Sequence, residues 1–292
     1  MKTILVPTDF SPAAENAALY ALNLAKAINT GIKLFNAFKV PMETPLAAQV
    51  MWPLEDYDSL KDEVTDDLKR LAKKLSREAF SRGGSQPYRL PIEYSSEAGS
   101  VSEMVCEQAV AQRLGLVVMG MSGAGALSRL FLGSNSKELI DKATFPVLLV
   151  PPHAVFKGIN KIAFASDLSD DEIEVIHSLA GFAYKFNAEL LIAHVTDEKY
   201  EMAHQHKVDS FLNDITGKIN YPKIYYRHIK SLDVDHGLDW LTEHGQVDIL
   251  AMVHKKHNWV EQIFEGSHTQ KLAKHVEVPL LVFPAGYNSP FV

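Results

Sequence analysis

Cysteine is almost missing from this chain. Cys106 is the single one in 292 residues, so no internal disulfide can form and a reducing cytoplasm is the expected compartment. Set among helix-like residues, Cys106 reads as a packing residue rather than a nucleophile. An excess of basic charge is missing too: a formal charge of −7 and a pI near 5.9 leave no general surface for nucleic acid. No apolar run approaches the roughly 18 residues of a membrane span. Ile4-Leu5-Val6, ahead of Pro7, is too short for the core of a signal peptide. Neither nucleic acid nor membrane is therefore expected as a partner. Histidine is absent before His153, and all 12 lie at or beyond it. His254-x2-His257 and His204-x-His206 have spacings that suit a metal, with His268 and His275 as completions. No acidic or cysteine partner makes a recognisable motif of them, so no metal site is expected.

What is present is a repeat. With 47% hydrophobic residues the chain can fill two cores. KTILVPTDFS near the start is answered by KIAFASDLSD from Lys161, which pairs Asp9 with Asp167 at an offset of 158. Near the ends, ATFPVLLVPP is answered by VEVPLLVFPA, pairing Pro146 with Pro279 at an offset of 133. The second copy is thus 25 residues shorter, the loss falling between Asn36/His194 and Ser100/Asp233. PPHAVFKG separates the copies, giving expected domains 1–152 and 158–292.

Each copy alternates strand-like and helix-like segments. Ile4-Leu5-Val6, Leu116 to Met119 and Val147 to Val150 are continuous apolar runs, as in strands buried on both faces. Ala14, Ala17, Ala18, Ala21, Leu22, Ala25 and Ile28 recur at helical spacing, opened by Ser11 as N-cap and Pro12 at the first helical position. Leu60, Val64, Leu68, Leu71 and Leu75 mark a second helix, stopped by Gly83-Gly84. Tyr88, Leu90, Ile92 and Tyr94 alternate as a strand, and Pro91 within it suits a sheet edge. Ser100 and Glu103 have capping-box spacing. The alternation predicts an α/β protein with parallel sheets covered by helices on both faces.

Glycine concentrates after the strand that ends at Met119. Gly120-x2-Gly123-x9-Gly133-Ser134 runs from a buried strand to a helix, which brings bare backbone N–H groups to where an anion can reach them. With VPTDFS at the first strand and PVLLVP at the last, this spacing resembles the universal stress protein family, whose nucleotide-binding members carry Gly-x2-Gly-x9-Gly-Ser/Thr. The resemblance covers both halves, so the chain looks like a tandem member.

The resemblance implies two open five-stranded parallel sheets in the order 3-2-1-4-5, of the kind shared by HUP and adenine-nucleotide α-hydrolase-like domains. Strands 1 and 4 then flank the switch point where such sheets bind ligands. It also implies ATP as ligand, with or without Mg, and AMP or ADP as alternatives. The implied nucleotide contacts are Pro7, Thr8, Asp9, Ala37, Met119, Gly120, Gly123, Gly133, Ser134, Asn135 and Ser136. Asp9 would serve the ribose or adenine side, the Ala37 backbone the adenine, and the glycines and serines the ribose and phosphates. Asp9 also suits a strand end or helix cap, and its repetition as Asp167 favours the binding role.

In the second half Gly120 becomes Val253 and Gly123 becomes Lys256, while Gly133 keeps its counterpart in Gly266. If the glycines serve unusual backbone angles, Val253 costs about 1–3 kcal/mol, and this half is expected to hold no nucleotide. On the same reasoning Gly120→Val should remove binding and leave the fold intact.

A stress-response or signalling role with no dedicated reaction is expected. The alternatives are a slow ATP hydrolase of the same fold and a scaffold whose second half takes another ligand or a metal. The Walker-A spacing is absent and no general base stands near the glycine loop. The family commonly dimerises through the last strand. The two halves are therefore expected to pair edge to edge through Phe145 to Val150 and Val278 to Phe283, with a homodimer of the chain through other surfaces.

Overall fold

A computed structural model describes residues 3–39, 53–81, 90–121, 134–196, 202–231, 234–255 and 278–290. The first half runs β1 (Ile4–Pro7), α1 (Pro12–Ile28), β2 (Ile32–Phe38), α2 (Pro53–Ser81), β3 (Ile92–Ala98), α3 (Val101–Ala111), β4 (Leu116–Gly120), α4 (Ser134–Lys142) and β5 (Val147–Val150). The second runs β6 (Lys161–Ala165), a 3-10 turn (Asp170–Glu172), α5 (Ile173–Phe186), β7 (Glu189–Thr196), α6 (Met202–Lys218), β8 (Ile224–Lys230), α7 (Val234–His244), β9 (Ile249–His254) and β10 (Leu280–Pro284).

The strands form one ten-stranded sheet in the order β3-β2-β1-β4-β5-β10-β9-β6-β7-β8. Every pairing is parallel except the central one, where β10 runs antiparallel to β5. Each half therefore has the 3-2-1-4-5 order, and the halves meet through the two strands that would otherwise be apolar edges. The register repeats as well. Ile4 faces Ile32 and Leu116, as Ile162 faces Leu190 and Ile249.

Local sequence explains the element ends. Ser11 caps α1 by accepting the Ala14 N–H at 3.2 Å, and Pro12 fills a first-turn position that needs no donor. Asn29 stops the helix in the left-handed conformation, φ 57°, and its counterpart Asn187 stops α5 at φ 54°. Buried Ala17, Ala18, Ala21 and Ala25 let α1 lie close over the sheet. β3 begins after Pro91, whose carbonyl accepts the Ile32 N–H at 3.1 Å, and the strand lies at the sheet's edge. Ser100 caps α3, but the Glu103 carboxylate accepts the Ser100 hydroxyl at 2.8 Å instead of reaching the backbone. Half-buried Cys106, on α3, packs against the apolar core on that side of the sheet, and burial pushes its thiol up, which suits packing and not nucleophilicity.

The connector between the halves is wedged, not free. Asn16 on α1 donates to the carbonyls of Pro151 and Ala154 at 3.0 and 3.1 Å. Phe156 stands edge-on to Tyr20 of α1 (5.3 Å between ring centroids) and to Phe186 of α5 (6.5 Å). One apolar layer thus runs unbroken from α1 through the connector to α5. Among the described residues no helix is long and apolar enough to cross a membrane.

Candidate functional site

The switch point of the first half lies where β1 and β4 part, and a cleft opens there at the strands' C-terminal ends. It encloses about 720 Å³, open solvent at its mouth included, and is walled by the β1–α1 turn, the end of β2, the end of β4 and the start of α4. Of the residues singled out in the sequence, Pro7, Thr8, Asp9, Ala37, Met119, Gly120, Ser134, Asn135 and Ser136 line it together. Gly123 and Gly133 lie outside the described residues. Phe35, Asn36, Ser11, Ala13, Ala14 and Val101 also line it and were not anticipated.

The β1–α1 turn is tightly self-bonded. The Thr8 hydroxyl accepts the Phe10 N–H at 3.1 Å, and Asp9 Oδ1 accepts the Ser11 N–H at 3.0 Å. These short bonds hold Phe10 at φ 61°, an uncommon state for a bulky residue and a recurrent one beside ligand sites. Asp9 is thus a local cap and a cleft residue at once: one carboxylate oxygen serves the turn, and the exposed side chain lines the opening. Asn36, buried at the end of β2, donates from Nδ2 to the Thr8 carbonyl at 2.7 Å and so ties β2 to the turn. The sequence carried a signal for it, a polar residue in a buried run matched by His194. His194 Nδ1 meets the Ser166 carbonyl at 2.8 Å, which is the same tie in the second half.

Gly120 is required for a reason other than the one expected. Its φ is not in the left-handed region, but an ideal Cβ there would lie 2.5 Å from the Ala13 carbonyl oxygen and 3.0 Å from the Ala14 nitrogen. The glycine permits close approach of β4 to the first turn of α1. Across the cleft, α4 presents Ser134 and Asn135 exposed and Ser136 buried in its first turn, where backbone N–H groups have no acceptor within the helix and the helix dipole favours an anion.

No group of three or more His, Cys, Asp or Glu capable of holding an ion occurs among the described residues. His257, His268 and His275 fall outside them. The buried ring of His254 instead lies 2.9 Å from Asp141 Oδ1 on α4, a contact between the halves.

The sequence model of the universal stress protein family matches residues 1–151 and again 158–284. The chain belongs to that family. It is a tandem universal stress protein, with one copy of the fold in each half. A universal stress protein of Methanocaldococcus jannaschii is 30% identical over 149 residues, which cover 51% of this chain and 81% of the relative. One from Thermus aquaticus is 30% identical over 152 residues, covering 51% and 98%. The crystal structure of a universal stress protein from Archaeoglobus fulgidus superposes with a TM-score of 0.69 at 16% identity, over 97% of this chain and 98% of that one, so the two-copy fold is shared along the whole length.

Proposed function

We propose that this tandem universal stress protein binds one adenine nucleotide, ATP foremost, in the cleft of its first half (residues 1–152), while the second half (158–292) takes none. The observation that carries the reading is the convergence of Asp9, Ala37, Gly120 and the first turn of α4 on one cleft at the switch point of the sheet. Ala37 would meet the adenine through its backbone, Asp9 the ribose, and Gly120 with Ser134, Asn135 and Ser136 the phosphate side, where a Mg ion would accompany ATP. AMP or ADP would use the same contacts with fewer phosphates.

Asp9 is the sole ionisable group among the described lining residues, and one of its oxygens is committed to the Ser11 N–H. The cleft thus offers little for general-base catalysis, and hydrolysis of bound ATP should be slow or absent. The function is a nucleotide-linked role in stress response or signalling, in the cytoplasm and as a homodimer. Mass spectrometry of small molecules released from protein purified without added nucleotide, followed by titration calorimetry, tests it. One adenine nucleotide per chain is expected, and no affinity for any adenine nucleotide would overturn the reading.

A further inference from the structure

Thr8, Asp9, Ser11, Ala13 and Ala14 wall the first-half cleft on the side of β1 and α1. At the offset of 158 their counterparts are Ser166, Asp167, Ser169, Asp171 and Glu172. The turn itself is the same: Ser166 Oγ accepts the Leu168 N–H at 3.0 Å, Asp167 Oδ1 accepts the Ser169 N–H at 3.1 Å, and Leu168 holds φ 60°. The space it encloses is not.

Lys255, which follows β9 at the position of Ser122, turns its ammonium into that space. Its Nζ lies 2.9 and 3.0 Å from the two Asp167 oxygens, 3.4 Å from Asp171 Oδ1 and 3.5 Å from Glu172 Oε1, and it donates to the Ser169 hydroxyl. Glu172, 3% exposed, accepts the Ser166 hydroxyl at 2.5 Å. All five counterparts are thus engaged by Lys255 directly or through Glu172. Where the first-half wall has one carboxylate, this wall has three, and the chain's own ammonium pairs with them and offsets part of their charge, leaving an acidic surface that repels phosphate.

The backbone fits the exchange. Pro12–Ala14 opens α1 as α-helix, whereas Asp170–Glu172 is a 3-10 turn. The first-half geometry, with the Ala13 carbonyl 2.5 Å from a Cβ at Gly120, has no room for the β-branched Val253 that takes the glycine's place. Burial works against ionisation of Asp167, but the bonds from Ser169 and Lys255 outweigh it and hold its carboxyl below the usual range. Burial works against the Lys255 charge as well, and is outweighed by Asp167, Glu172 and Asp171.

We propose that the Lys255 ammonium is the fixed occupant of the second half's cleft position, and that Lys255 and Glu172 are the residues that keep nucleotide out of it. The proposal rests on the reading of the first half as the nucleotide site. It differs from a mere loss of glycines, because it makes the second half's cleft position a half-exposed ion-pair cluster built on the buried Glu172 and not a defective copy.

Two measurements on the full-length chain test it. In calorimetry with ATP, the triple variant V253G/E172A/K255S, which copies Gly120, Ala14 and Ser122, should raise the stoichiometry from one to two, while V253G alone leaves it at one. A second site in V253G alone, or none in the triple variant, overturns the proposal. Thermal melting of Lys255→Ala forms the second arm, which needs no nucleotide. The variant should melt below the parent, and ethylammonium chloride should raise its melting temperature more than sodium chloride at equal ionic strength, with no such difference in the parent. Equal response to the two salts overturns the occupancy. Failure of the parent to bind any ATP would sink the first-half reading and leave this second arm to decide the rest.

Discussion

The carbonyl oxygen of Ala13 stands 2.5 Å from the place a Cβ on Gly120 would take. That approach joins the end of β4 to the first turn of α1, so the glycine is a packing requirement before it is a ligand contact. Gly120→Val must push backbone against backbone, at about 1–3 kcal/mol for overpacking of this kind. The expectation of an intact fold therefore changes. Denaturant unfolding should show the loss, and calorimetry should show ATP affinity down at least tenfold. A variant as stable as the parent would mean that α1 yields freely.

Phe156 is the second point of leverage. It bridges Tyr20 of the first half and Phe186 of the second, and the connector around it is held by Asn16. Phe156→Ala should cost about 2–4 kcal/mol for an aromatic partly covered on both sides. The loss should appear as one cooperative transition at lower denaturant. Two separated transitions would show instead that the halves unfold independently and that Phe156 is the coupling between them.

Burial pushes the Glu172 carboxyl up to about 7, against the pull of the Ser166 hydroxyl and with the Asp167 charge adding to the rise. A carboxyl raised in the folded state binds more protons there than in the unfolded chain, so its contribution is favourable at low pH and is lost as pH rises from about 4.5 towards 7. At about 1.4 kcal/mol per pH unit this amounts to something on the order of 3 kcal/mol. Asp167 acts in the opposite sense and at lower pH, since its carboxyl is held down. Glu172→Gln should therefore flatten the stability profile between pH 5 and pH 8 and stabilise the protein at pH 8. A parent and variant with parallel profiles would place the titration elsewhere.

Much of this was legible in the chain because the repeat carries backbone geometry along with sequence. Among the described residues the six non-glycine residues at positive φ fall into three pairs, Phe10 with Leu168, Asn29 with Asn187 and Arg113 with Gln246, at the offsets 158 and 133 read from sequence. Apolar runs gave the buried strands, and helical spacing gave α1 and α2. The shared strand order followed from resemblance, since periodicity does not fix which strands are neighbours. Alignment of the halves revealed that Gly120 became Val253, but not that Lys255 fills the gap. That contact joins residues 84 to 88 apart, and nothing local in the sequence marks it. Asn36 served to align the halves but was not assigned to the cleft, because a polar residue inside an apolar run looks like a packing tolerance until its bond to Thr8 is seen.

The central pairing yields the last prediction. Leu148 faces Leu281, Leu149 faces Leu280, and Val147 faces Val282. Leu148 and Leu281 are counterparts at the offset of 133, so the pseudo-twofold axis of the chain passes between them. Val150 and Pro146 accept from Met121 and Val117, which turns residues 146, 148 and 150 towards β4 and therefore 147 and 149 towards β10. By the same alternation Pro279 accepts from Leu250, which turns Leu280 and Val282 towards β5. Leu149 and Leu280 thus exchange both backbone bonds across the axis. Leu149→Pro removes that donor in a strand paired on both sides, where no edge is available to absorb the proline. A cost of about 3 kcal/mol or more is expected, with the cross-half bonds lost before those between β4 and β5. Hydrogen exchange reads this directly: in the parent the Leu149 and Leu280 amides should be among the slowest in the protein, and in the variant Leu280 should accelerate while Val117 stays protected. Fast exchange at Leu149 and Leu280 in the parent would mean that the two halves do not form one sheet in solution.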